Sequence, residues 1–305
     1  MEALAIPLLL VVGGLLAVQA AANVQLGAAA GSPAGGAALQ LAIGALALAV
    51  VGAFAGALAA LHLLADAAPW HLVGGAASAL YISAGIVLFP RLGAIVTVGL
   101  FIAGQMVTSL ALDTTGWLGL ERRPADVSAV LGIVAVLAGA ATIVRAQARP
   151  PAGARRAPAI ALALLAGGVL PVQGAINAQL RADLDAPVAA ALWSFAVATA
   201  TMAAVLVCVV ATGRARTPRA SSLRGLPWWG WLGGLCGATY VTAVFLLIPH
   251  IGVAPTVGLT VAGQQIASVF VDRHGWLRLP RRPISPARLV GVAVLLVGVA
   301  LVQLA

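Results

Sequence analysis

Ten runs of apolar residues follow one another along the chain, at 4–22, 38–61, 72–89, 94–112, 127–144, 159–177, 188–211, 229–248, 253–271 and 287–304. Glycine, proline or arginine marks nearly every junction, as expected where a chain leaves the hydrocarbon and turns. About 20 mainly apolar residues carry a helix across a bilayer. The pattern therefore predicts an all-α integral membrane protein of ten transmembrane helices with short connections. The least regular connection, 146–157, is rich in proline and arginine and divides the chain near its middle. It predicts a first five-helix repeat over 1–148, a cytoplasmic linker over 149–157 and a second five-helix repeat over 158–305.

The polar positions recur in register between the halves. A shift of 154 lays Gly13-Gly14, Gln19, Asn23, Gln25 and Pro33 on Gly167-Gly168, Gln173, Asn177, Gln179 and Pro187. A shift of 159 lays Tyr81, Gly104-Gln105, Ser109, Asp113, Gly116-Trp117 and Arg122-Arg123-Pro124 on Tyr240, Gly263-Gln264, Ser268, Asp272, Gly275-Trp276 and Arg281-Arg282-Pro283. Apolar composition alone aligns leucines and alanines, but not glutamine, aspartate, tryptophan and a double arginine in one register. Because each unit has an odd number of helices, the second must enter the membrane from the opposite side, which predicts a pair of inverted repeats.

Composition agrees with this picture. Hydrophobic residues make up 62% of the chain and charged residues 8%, against about a quarter charged in soluble domains. The net charge of +9 comes from 17 basic residues, all arginines. Fourteen of these fall in loops on one side of the predicted topology, leaving Arg122, Arg123 and Arg181 on the other. The positive-inside rule then places both termini outside and the fourteen arginines on the cytoplasmic side, among lipid headgroups. That reading makes membrane lipids the partners of the basic residues and excludes nucleic acid. Cys208 and Cys236 stand alone in apolar runs, without metal or disulfide spacing. The small residues at Val18-Gln19-Ala20 suggest a signal-peptidase site. With Glu2 where a positive region belongs and a counterpart of the segment deep in the chain, a retained span is expected.

The runs PVQGAINAQL at 171–180, VGLTVAGQQ at 257–265 and D-x-x-G-W followed by RRP resemble the YdcZ-like branch of the drug/metabolite transporter superfamily. The chain is similar to a fused, two-repeat member over nearly its whole length. The second half is nearer the pattern, since the first degrades PVQGAINAQL to AVQAAANVQL and puts Ala17 where Pro171 stands. The resemblance implies a helical bundle with inverted repeats that moves a solute by alternating access. It implies neither a substrate nor particular ligand residues.

Polar side chains at span depth are costly unless they face a partner or a wet cavity, so they mark where a solute is to be sought. Gln19 and Asn23 share a helix face, as do Gln173 and Asn177. Gln105, Ser109 and Asp113 step by four along the fourth span, and Gln264, Ser268 and Asp272 along the ninth. Tyr81, Tyr240, Trp193-Ser194 and Gln40 complete a candidate cavity wall. Each amide is open to two readings, glue between helices or contact with solute. The pairs Gly52/Gly56 and Gly233/Gly237 have the small-xxx-small spacing of close helix packing. Asp113 and Asp272, close to a tryptophan and paired arginines, are either interfacial anchors or a gate at each mouth. No charged residue falls in the middle of a span, which favours a neutral or zwitterionic solute.

The leading expectation is a secondary transporter exporting a small metabolite or drug-like molecule. It requires no cofactor, no metal and no catalytic residue, and leaves a homodimer open. The alternatives are a membrane-embedded enzyme on lipid-like substrates, for which His62, Asp66 and His71 form the only grouping, and a non-transporting assembly subunit.

Overall fold

The computed structural model describes residues 2–147, 156–215, 217–218, 220–251 and 253–303. Among these, the chain is all helical, with ten long helices: α1 Glu2–Ala29, α2 Pro33–Phe54, α3 Ala76–Leu92, α4 Ala94–Thr115, α5 Val127–Arg145, α6 Arg156–Leu184, α7 Pro187–Ala211, α8 Leu232–Ile251, α9 Val253–His274 and α10 Pro286–Gln303. Eight helical segments are long and apolar enough to cross a membrane. Most of the linker expected at 149–157 lies outside the described residues.

Local signals set the helix ends. Ser32 accepts the Gly35 N–H at 3.0 Å and Pro33 fills the first helical position, starting α2. Asp126 accepts the Ala129 N–H at 2.7 Å at the start of α5. That bond, with the Ser128 hydroxyl, holds its carboxyl below the usual carboxylate range. Gly116 and Gly275, at φ 69° and 65°, end α4 and α9 in the left-handed conformation that disfavours any other residue. Both turns continue alike. Arg123 and Arg282 each donate a backbone N–H to the carbonyl of the aspartate ten residues upstream, at 2.7 and 2.8 Å.

Three boundaries depart from the hydrophobic pattern. The second helix stops at Phe54 because Gly56 takes φ 68°, and the apolar residues beyond form a 3-10 segment, Ala57–Ala65. Gly56 therefore works as a turn and not as a packing residue; a Cβ there meets nothing within 4 Å. The third helix begins at Ala76, after a 3-10 turn Pro69–Val73. The sixth runs seven residues past its apolar stretch to Leu184, so that Arg181 lies on a helix and not in a loop.

The two halves are intertwined. α1 packs on α8 and α9, and α6 packs on α3 and α4; α2 packs on α7 and α5 on α10. The close approaches are reciprocal in the repeat register. A Cβ on Gly13 would lie 1.9 Å from the Thr260 carbonyl oxygen, and one on Gly167 would lie 2.1 Å from that of Phe101, the register mate of Thr260. Gly263 faces the Leu10 oxygen at 2.0 Å, and Gly104 faces that of Leu164 at 2.1 Å. Between α5 and α10, Gly132 meets Gly298 and Gly139 meets Gly291. Such glycines let backbones approach to van der Waals distance, where packing and not hydrophobicity drives association in lipid. Large apolar side chains such as Val11, Leu46, Phe54, Val134, Leu165, Val207 and Val297 point outward, as on a surface solvated by acyl chains.

Candidate functional site

A cavity of about 450 Å³ lies inside the bundle, lined from every long helix except α5 and α10. Of the polar residues singled out by sequence, it brings together Gln19, Tyr81, Gln105, Ser109, Asp113, Gln173, Asn177, Tyr240 and Gln264, together with Gln40 and Ser194. Its apolar wall includes Leu16, Ile82, Met106, Phe195 and Val261. A few convergent polar groups in an apolar chamber of this size are the usual make-up of a small-molecule site.

Four candidates lie elsewhere. Asn23 is fully buried behind the wall, its Oδ1 pressed against Gly233. Trp193 donates its indole N–H to the Leu72 carbonyl at 3.1 Å and packs against Leu180 and Leu184. Ser268 turns its hydroxyl back to the Gln265 carbonyl at 2.6 Å. Asp272 is not at an open mouth. Its side chain is 3% exposed, accepts the Ala94 N–H at 2.7 Å and the Ile95 N–H at 3.1 Å, and lies 3.6 Å from Arg288. It thus caps the N-terminus of α4, where orphan amides and the helix dipole favour negative charge. Arg282 completes the junction by donating to the Pro90 carbonyl at 2.8 Å.

Asp113, the repeat mate of Asp272, makes no such cap among the described residues. Asp113 lines the cavity and is exposed, as is Arg181 in part. Gln264 donates to the Tyr81 hydroxyl at 3.0 Å, whereas among the described residues no bond joins their mates Gln105 and Tyr240, which both line the cavity, Tyr240 pairing with Thr260 instead. The lining extends along α4 to Asp113 and along α6 to Arg181, but stops at Gln19 on α1 and Gln264 on α9. The chamber therefore reaches the Asp113 end of the molecule and not the Asp272 end.

Deeper in, the two halves again differ. Around Gln173 of the second half, Ser78 of the first donates to its Oε1 at 2.9 Å, and the Ser194 hydroxyl accepts from Asn177 at 3.0 Å and from Gln173 at 3.5 Å. Around Gln19 of the first half, Gly237 of the second replaces Ser78 and Gln40 replaces Ser194 in register. Gln40 donates to the Gly233 carbonyl at 3.5 Å, and its own buried Oε1 and that of Gln19 have no hydrogen-bond partner among the described residues. The pair Gly233/Gly237, which by spacing reads as helix packing alone, is the surface against which these amides rest.

Sequence reasoning missed two residues here. Arg288 looks like one more headgroup arginine, yet its side chain is 4% exposed beside Asp272. Ser78 carries no motif, and only its register match to Gly237 hints at a role. The grouping of His62, Asp66 and His71 does not act as a unit, since His71 pairs with Asp183 of α6.

The model of the family described as "Putative inner membrane exporter, YdcZ" matches the chain twice, at residues 4–142 and 158–301. No curated protein matches it. A solved structure titled "Crystal structure of protein" is similar in fold, with a TM-score of 0.58 at 20% identity over 97% of this chain and 96% of that one.

Proposed function

The chain belongs to the family of YdcZ-type inner membrane exporters, and on that premise we propose that it is a secondary transporter of the bacterial inner membrane. It exports a small metabolite or drug-like solute by alternating access through the amide-lined cavity. In this reading the ten helices all span the bilayer as two inverted five-helix repeats, with both termini outside. The reciprocal glycine contacts, Gly13 with Thr260 and Gly167 with Phe101, support the inversion.

The observation that carries the reading is the asymmetry between equivalent gates. Asp272 holds the first residues of α4 and its neighbour Arg288, while its exposed mate Asp113, at the cavity mouth, has among the described residues only Arg123 as an ionic neighbour. Two register-related junctions, one closed and one open about a single chamber, are what alternating access requires of each resting state. In the exchanged state Asp113 caps the start of α9, at the register mates of Ala94 and Ile95, and Asp272 is released. The arginine distribution assigns the Asp113 end to the outside, so this conformation faces outward. Solute enters from the cytoplasm when the Asp272 junction opens, binds among Gln19, Gln40, Gln105, Gln173 and Gln264, and leaves past Asp113 and Arg181.

The test is solute flux in proteoliposomes with a broad panel of metabolites and small drugs. Counterflow of at least one solute is expected. Asp113→Asn should slow it at least tenfold while leaving thermal unfolding nearly unchanged, because among the described residues the only ionic neighbour of this exposed carboxylate is the exposed Arg123. Folded protein that moves no member of the panel would overturn the proposal.

A further inference from the structure

A second cavity, open to the surface and of about 480 Å³, lies at the Asp272 end of the molecule and is lined by Arg273, Arg281, Arg282, Pro283 and Ile284. It shares no residue with the internal chamber. Arg273 makes no hydrogen bond or ion pair among the described residues. Arg281 commits only its Nε, to the His274 carbonyl at 3.2 Å, and Arg282 commits one Nη, to the Pro90 and Arg91 carbonyls at 2.8 and 3.2 Å. No ion pair joins any of the three to an acid among the described residues. Asp272 is an electrostatic neighbour of Arg282, yet its side chain is 3% exposed and turned onto two amides of α4 and onto Arg288.

The repeat mate of this turn is charged differently. Arg281 and Arg282 answer to Arg122 and Arg123, but Arg273 answers to Thr114 and Pro280 to Glu121. Glu121 lies 4.0 Å from Arg123, so the first half keeps a carboxylate beside its arginines, and the second half replaces it with proline and adds a guanidinium. The backbone does not require the change, because both turns make the same bond from the second arginine N–H to the aspartate carbonyl. Like charges gathered at one place repel. The excess positive charge at this cavity therefore has no counterpart within the turn and is open to an anion from outside the chain.

We propose that the Arg273–Arg281–Arg282 cavity binds a phosphate dianion, either free or as the phosphomonoester head of a lipid. The planar guanidinium fork matches phosphate oxygens with two parallel hydrogen bonds. Arg273 has all of its donors to give and Arg281 both of its Nη groups. The charge sets the class of anion. Arg282 is already faced by Asp272, which leaves the charges of Arg273 and Arg281 to offset. A phosphomonoester carries about −1.5 to −2 near neutral pH, whereas the phosphodiester of an ordinary anionic headgroup carries a single charge and offsets half as much.

Detergent-purified full-length protein is titrated with inorganic phosphate, dioctanoyl phosphatidic acid and dioctanoyl phosphatidylglycerol, and binding is followed by isothermal titration and native mass spectrometry. At least one of the two dianions should bind once per chain, roughly tenfold or more tightly than phosphatidylglycerol. Phosphate as the tighter ligand identifies a free anion, and phosphatidic acid as the tighter ligand a lipid head. Arg273→Thr copies the first half and removes an arginine without a bond of its own, so it should weaken that binding by roughly tenfold and leave thermal unfolding of the unliganded protein unchanged. Arg281→Gln should weaken it similarly, and Arg122→Gln, in the mate turn, should not. Binding of neither dianion, phosphatidylglycerol bound as tightly as they are, or affinity unchanged in both Arg273→Thr and Arg281→Gln would overturn the proposal. Solute flux plays no part in this readout, so either result leaves the transport reading to its own test.

Discussion

Asp272 joins three elements through one carboxylate: it accepts two amides at the start of α4, lies beside Arg288 at the start of α10 and belongs itself to α9. Removing one partner of a buried pair leaves the other charge uncompensated, typically at a cost of about 3–5 kcal/mol. Asp272→Ala should therefore lower unfolding stability by about that amount in mixed-micelle denaturation. Asp272→Ala combined with Arg288→Leu should cost clearly less than the sum of the single changes, since the orphaned guanidinium is gone. Additive effects would show that the pair is not coupled. None of this was legible from residue identity. Asp113 and Asp272 occupy the same motif, D-x-x-G-W, and the turns after them are alike, so only the packing of the remaining helices tells the buried aspartate from the free one. Arg288 was hidden for a related reason, because a basic residue next to a span is by default a headgroup ligand.

At the scale of the helix, the apolar runs located the long helices, because in lipid an uninterrupted apolar stretch has no satisfactory structure other than a helix. Their ends were less legible where hydrophobicity and backbone geometry disagree. Residues 57–61 are apolar enough to prolong α2, yet Gly56 in the left-handed region turns the chain out of the helix. Gln179, Arg181 and Asp183 end the apolar run, yet α6 continues because Leu180 and Leu184 stay buried beside them while Arg181 lines the cavity and Gln179 faces the loop after α4. There Gln179 donates to the Gly119 carbonyl at 3.1 Å. The glycines that matter most to packing were visible as register matches but not as crossing points. Gly104→Ala and Gly263→Ala each drive a methyl to about 2 Å from a backbone oxygen on the facing helix. Each should destabilise by about 1–3 kcal/mol as that crossing is forced apart. Gly85→Ala meets nothing within 4 Å and should be neutral or stabilising by up to about 1 kcal/mol through helix propensity. Steric denaturation curves that ranked Gly85→Ala with the other two would contradict the packing described.

At the scale of the whole molecule, the sequence repeat is not a pair of separately packed bodies, because each half places its first helix on the fourth helix of the other. The register showed that two units exist; it held no signal that they interlock, since contacts between units leave no periodicity along the chain. In the proposed mechanism interlocking makes the two junctions compete, for closing one moves helices shared with the other. The competition is also unequal, because Arg288 strengthens the Asp272 junction while its register mate is Ala129. The resting population should therefore lie toward the conformation open at Asp113. This bias is measurable with Ser109→Cys, a position on the cavity wall, in a background where Cys208 and Cys236 are replaced by serine. A membrane-impermeant maleimide added outside right-side-out vesicles should label it rapidly. Arg288→Met weakens the Asp272 junction alone, and a bias of about 1.4 kcal/mol changes the ratio of two states tenfold. Labelling from outside should then slow severalfold and labelling in inverted vesicles should rise in step. A change confined to one vesicle orientation would separate the two gates and remove the basis for their competition.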